Sequence, residues 1–265
     1  MNNLFWFKIL LSFISGGIWV TLTTIIAEKF GSKTGGLMGG LPSTIVVALL
    51  FIGLTQSAEI AAQATTIVPL AHGFNTFFIL TFIWAIPGGL KRAVPFSLLV
   101  WFLSAGLLVL LNIERYWISL SGWLVFLITA YLLLEKILRI HSYVNISIRY
   151  SPGQLLLRAF FSGSVIAFAV VMGKLGGPLL GGIFATFPAM FLTTLIITCR
   201  SGGAGFARAT AKALLISGLF NVIIYTIIVR YLFLSMGLFP GTAIALVISA
   251  ATGYLTFLFM RRWVS

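Results

Sequence analysis

Apolar residues run in long blocks along this chain, separated by short polar punctuation, and the blocks recur at the length of a bilayer-crossing helix. A hydrocarbon core about 30 Å thick takes about 20 apolar residues per helix. On that measure the pattern predicts spans at 9–27, 36–54, 60–86, 94–112, 119–138, 154–173, 177–199, 206–233 and 239–260. The runs are continuous, whereas a membrane β-barrel would alternate apolar and polar positions over strands of about ten residues. The fold class expected is an all-α membrane protein of about nine transmembrane helices. The first span is not read as a cleaved leader: one Lys precedes it and no small-x-small site follows before Glu28.

The punctuation carries the charge. Nine crossings put the termini on opposite sides, and the basic residues then sort unevenly. Lys8, Arg115, Lys174 and Arg230 fall on one side, and the other 13 of the 17 basic residues on the opposite side. Basic residues collect in cytoplasmic loops, so the N-terminus is expected outside and the C-terminus in the cytoplasm, with the protein integral to the cytoplasmic membrane. Trp6, Trp117, Trp123 and Trp263 sit near predicted span ends, where an interfacial aromatic belt is expected.

Composition changes the picture by subtraction. Of the residues, 60% are hydrophobic and 8% charged, against roughly 25% charged in soluble domains. The net charge of +13 would suit nucleic acid only if it sat on a soluble face or arm, and no polar stretch here is long enough to make one. There is no Asp, and the acids are Glu28, Glu59, Glu114 and Glu135; His72, His141 and Cys199 complete the candidate metal ligands. No metal, cofactor or structural disulfide is expected from that inventory. Catalysis would need a nucleophile with an oriented base; Ser15 or Ser43 with His72 is the only conceivable dyad and lacks a carboxylate, so no enzyme is expected.

The two halves echo each other. Phe13, Ser15 and Gly16 recur 147 residues later as Phe160, Ser162 and Gly163; Gly39-Gly40 recurs as Gly181-Gly182, and Pro42 answers Pro188. Ala64-Thr65, Gly73, Pro95 and Ser104-Ala105 recur at a single offset of 145. The layout expected is 4+1+4: a four-helix repeat over 1–115, a connecting helix and cytoplasmic loop over 116–150, and a second repeat over 151–265. One lone crossing between two quartets starts the second on the opposite side, an inverted-topology repeat about an axis in the membrane plane.

Inverted repeats suit alternating access, with the solute held near the midplane at paired helices broken by Gly or Pro. The chain offers such a pair in Gly39, Gly40, Pro42, Ser43 and Thr44, and in Gly181, Gly182, Thr186 and Pro188. Proline removes a helix donor, and backbone groups freed at membrane depth persist only against protein or a wet cavity. The glycines at four-residue spacing equally satisfy a helix-packing motif, and the sequence leaves both readings open. Polar residues inside spans are functional candidates by default: His72 and Asn75 in the third, Asn221 near the matching place in the eighth. His72 is a candidate proton carrier, the alternative being a hydrogen bond to a neighbouring helix. Arg208 and Lys212 are candidates for an inner vestibule that gathers anions, the alternative being snorkelling to headgroups.

The run from Glu28-Lys29-Phe30-Gly31 through Gly35-Gly36-Leu37-Met38-Gly39-Gly40-Leu41-Pro42 resembles a pattern in small uncharacterised bacterial and archaeal membrane proteins that are permease-like. The resemblance covers the first two spans and their echo, and implies transport without implying a substrate. The arrangement is also similar to inverted-repeat secondary transporters. The function expected is a transporter or facilitator for a small anionic or amphipathic solute, with the bilayer and the solute as partners. A lipid or lipid-phosphate flippase, or a non-transporting membrane scaffold, is the alternative. The sequence leaves homo-oligomerisation open.

Overall fold

The computed structural model describes residues 3–29, 42–138 and 150–263. Gly39, Gly40 and the rest of the glycine-rich approach to Pro42 lie outside the described residues, as does His141. Everything regular within them is helical, with no strand.

Helix α1 runs Asn3–Lys29. After the segment 30–41, α2 (Ser43–Thr55) starts directly behind Pro42. The third predicted span is broken into α3 (Ala58–Ala64), α4 (Val68–Gly73) and α5 (Asn75–Ala85), followed by a 3₁₀ turn at Ile86–Gly88. Pro69, at the second position of α4, accounts for the first break, since it cannot donate back to the turn before it. Helix α6 (Leu90–Leu111) ends at Asn112 in the left-handed conformation. Helix α7 (Tyr116–Tyr131) continues into a π-helical turn at Leu132–Ile137.

Helix α8 (Pro152–Ala185) begins with a capping box of Ser151 and Gln154 and has Pro152 in its first turn, an arrangement that supplies partners for otherwise orphaned N–H groups. Inside it, Gly176 and Gly177 leave the helical region, Gly177 at φ 73°, and the chain doubles back. That φ favours glycine. Helix α9 (Ala189–Ser235) turns once at Gly203, φ 78°, and α10 covers Leu238–Trp263. The sequence places a boundary between 199 and 206; the structure makes it with one non-helical residue.

Many hydroxyls inside the helices are spent on their own backbone. Thr24 donates to Val20 O at 2.7 Å, Ser97 to Ala93 O at 2.7 Å and Ser104 to Val100 O at 2.8 Å, so these side chains present no unmet donor to an apolar surrounding. The outer faces are apolar too. Leu10, Leu103, Leu110, Trp117, Phe160 and Val247 are each more than half exposed, a surface that water would penalise and lipid would not.

The first helices of the two halves cross tightly. A Cβ at Gly16 would come within 2.5 Å of Ile166 Cδ1, and one at Gly163 within 2.5 Å of the Phe13 carbonyl oxygen. Phe13 and Phe160 meet edge to face at 5.6 Å. Gly17 lies beside Ala159, while further back along α1 Lys8 donates to Leu54 O at the end of α2, whose Ile52 and Gln56 approach Gly173. Numbers falling along α1 therefore meet numbers rising along α8, and the two helices run antiparallel.

Helix α7 braces the interior against α4 and α9. Ser119 Oγ accepts from Leu70 N at 3.0 Å, and Trp123 Nε1 donates to Leu219 O at 3.0 Å. Trp123 thus spends its indole N–H inward on another helix, while Trp6 and Trp117 remain exposed.

Candidate functional site

The break that ends α8 leaves helical geometry at Thr186 and resumes at Ala189, behind Pro188. Phe187 N bonds Phe184 O at 3.1 Å, the carbonyl that a continuing helix would have offered to the missing donor of Pro188. The Thr186 carbonyl is satisfied from elsewhere: Asn75 Nδ2 donates to it at 3.1 Å. Asn75 is fully buried and starts α5, one turn beyond His72, whose Nδ1 lies 3.2 Å from the same Nδ2. A break in one half of the chain is thereby held by a side chain from a break in the other.

Between them is a cavity of about 30 Å³, room for about one water molecule. Its wall joins Pro42, Ser43, Thr44, His72 and Asn75 from the first half to Thr186, Phe187, Pro188, Met190 and Phe191 from the second, with Gly218 and Val222 of α9. His72 is buried and its Nε2 has no hydrogen-bond partner among the described residues. Phe191 packs beside its ring at 6.0 Å between centroids. Gly218 keeps the wall thin, because a Cβ there would strike Phe191 at 2.8 Å and stand 3.7 Å from His72 Nε2.

Seven of the sequence-derived candidates therefore share one cavity: Pro42, Ser43, Thr44, His72, Asn75, Thr186 and Pro188. Gly181 and Gly182 sit elsewhere. A Cβ at Gly182 would meet Ala64 O at 2.3 Å, and one at Gly181 would meet Gly173 Cα at 3.0 Å; both glycines serve close helix approach. Asn221 is buried against Gly253 of α10, its backbone carbonyl accepting from Ser249 at 3.0 Å. Lys212 is 1% exposed and ion-paired with Glu135 of the π-helical turn, and Arg208 is half-buried on α9, ten residues before the cavity-lining Gly218.

Sequence reasoning missed Arg158, which it counted among cytoplasmic-side charges. The residue lies inside α8 and is 2% exposed. Its Nη1 donates to Tyr150 Oη at 3.2 Å and Thr194 Oγ1 at 3.0 Å, and its Nη2 lies 3.3 Å from Met190 Sδ. The available signal was its position within the apolar run 154–173. A second in-helix guanidinium, Arg230, is accounted for by the α3–α4 break: Nη1 donates to Ala62 O, Thr65 Oγ1 and Thr66 Oγ1 at 2.9–3.2 Å, and the group stacks over Tyr116 at 4.5 Å.

Several long apolar helices, with apolar outer faces and a small cavity whose largely apolar wall carries a few polar side chains, fit the class of multi-pass helical membrane proteins. Within that class, the chain belongs to the family described as "Protein of unknown function (DUF3147)", which matches residues 9–114 and 155–261, two stretches of nearly equal length. No curated protein and no solved structure matches it.

Proposed function

We propose that this protein is a membrane transporter or facilitator, moving a small solute by alternating access between two inverted four-helix halves joined by α7. In this reading it lies in the cytoplasmic membrane, N-terminus outside, and performs no covalent chemistry. The observation that carries the proposal is the shared cavity, walled by Pro42 to Thr44 and by Thr186 to Pro188, segments that the sequence pairs through their prolines. Broken helices facing one another at depth are where secondary transporters bind their cargo.

The antiparallel crossing of α1 and α8 supports the inversion. At that crossing Phe13 touches Phe160, its own counterpart at an offset of 147, as happens where equivalent elements meet on a two-fold axis. The family match in two similar stretches supports the duplication.

Thr44 is partly accessible and lines the cavity, which makes it the reporter of choice. In a Cys199→Ser background, a Thr44→Cys protein in sealed vesicles is expected to react with a membrane-impermeant maleimide from either face, one vesicle orientation at a time. Labelling from a single face in every condition, or from neither, would point to a scaffold.

A further inference from the structure

We propose that Arg158 is a binding site for a single oxyanion, carboxylate or phosphate, which enters from the cavity by displacing the side chain of Met190. The inference rests on the cavity described above and names the chemistry of what it would admit.

The guanidinium is almost wholly buried inside a helix, where a charge without a counter-charge is costly. Among the described residues no carboxylate accompanies it: the ion pair found there joins Lys212 to Glu135, and Glu114 accepts from Asn112. The partners of Arg158 among the described residues are neutral: two hydroxyls on Nη1, the Tyr150 ring 4.9 Å beneath, and the thioether of Met190.

The distribution of donors is the informative part. Nη1 is satisfied. The other edge of the fork, formed by Nε and Nη2, has among the described residues no partner on Nε and only a sulfur on Nη2. That edge presents two parallel N–H groups, the geometry that receives a carboxylate or phosphate bidentately. Thioether sulfur is a weak acceptor, so Met190 occupies an oxyanion's place without supplying its charge. Met190 also lines the cavity, and its unbranched side chain has three rotatable bonds. A rotation there opens the cavity onto the vacant edge, while Thr194 and Tyr150 keep the fork aimed.

The test measures binding, not flux. Full-length protein is reconstituted in phosphatidylcholine vesicles, and its thermal unfolding is followed in sodium chloride with added benzoate, acetate or inorganic phosphate at matched ionic strength. The expected result is a saturable rise in unfolding temperature with at least one oxyanion. Arg158→Gln should lose the rise; Arg158→Lys, which keeps the charge without the fork, should weaken the apparent affinity by about tenfold or more. Met190→Ala should retain or strengthen it, which guards against a folding defect in the Arg158 variants. A rise seen only when phosphatidylglycerol is added to the vesicles, and lost in Arg158→Gln, supports the same site with a lipid headgroup as the source. Absence of any saturable rise in the parent protein, or an equal rise in Arg158→Gln, overturns the proposal. Oxyanion binding together with one-faced labelling of Thr44→Cys would leave this site standing and remove transport; two-faced labelling without oxyanion binding would do the reverse.

Discussion

At the scale of single residues, the glycines divide by what surrounds them. A Cβ at Gly182 would stand 2.3 Å from a backbone oxygen, that of Ala64, whereas one at Gly106 would meet nothing within 4 Å. Gly182→Ala is therefore expected to destabilise the protein by about 1–3 kcal/mol through overpacking. Gly106→Ala should be neutral or stabilise by up to about 1 kcal/mol, since alanine is the better helix former. Unfolding midpoints in one detergent check both, and a Gly182→Ala protein as stable as the parent would contradict the assigned contact. Gly182 shows what a sequence leaves ambiguous: paired glycines suit packing and cavity lining alike, and which side of the helix meets a neighbour is decided only in three dimensions. Arg158 and Lys212 make the same point with charge. Both are basic residues near a predicted span end, yet Lys212 finds Glu135 and Arg158 finds hydroxyls and a sulfur.

At the scale of elements, the broken helices hold the site together, and the bond between Asn75 and the Thr186 carbonyl is their link. Asn75→Ala leaves a buried carbonyl without its donor, a loss of about 1–3 kcal/mol, and is expected to lower the unfolding temperature of the intact protein. No change would mean that the carbonyl finds another partner and the two breaks are not tied. Pro188 makes its break readable in the sequence, because a missing N–H interrupts a helix wherever it falls in the interior, and Pro42 marks the start of α2. Pro69 carried the same information for the third span, which the hydropathy pattern presents as one uninterrupted run from 60 to 86 and the structure divides at 65–67 and again at Phe74. Hydropathy sees the apolar content of a segment and is blind to its backbone. The start of α1 was blurred too: the helix begins at Asn3, ahead of Lys8, whose ammonium donates to the end of α2.

At the scale of the whole molecule, the account turns on the two halves being upside-down copies, with a proline-containing segment of each meeting at one cavity. Periodicity and the recurrence of Phe13-x-Ser15-Gly16 as Phe160-x-Ser162-Gly163 made the duplication legible, and the antiparallel crossing at Phe13 and Phe160 supports its sense. Pairings between halves, such as Asn75 with Thr186, are 111 residues apart and leave no trace in a local pattern. The most direct measurement compares equivalent connections of the two halves. Lys91, after the turn that follows α5, and Met236, between α9 and α10, are both exposed. Lys91→Cys and Met236→Cys, each in the Cys199→Ser background, are treated with a membrane-impermeant maleimide in right-side-out and in inverted vesicles. The account expects Lys91→Cys to react only from the cytoplasmic face and Met236→Cys only from the outer face; reaction of both from the same face would contradict it.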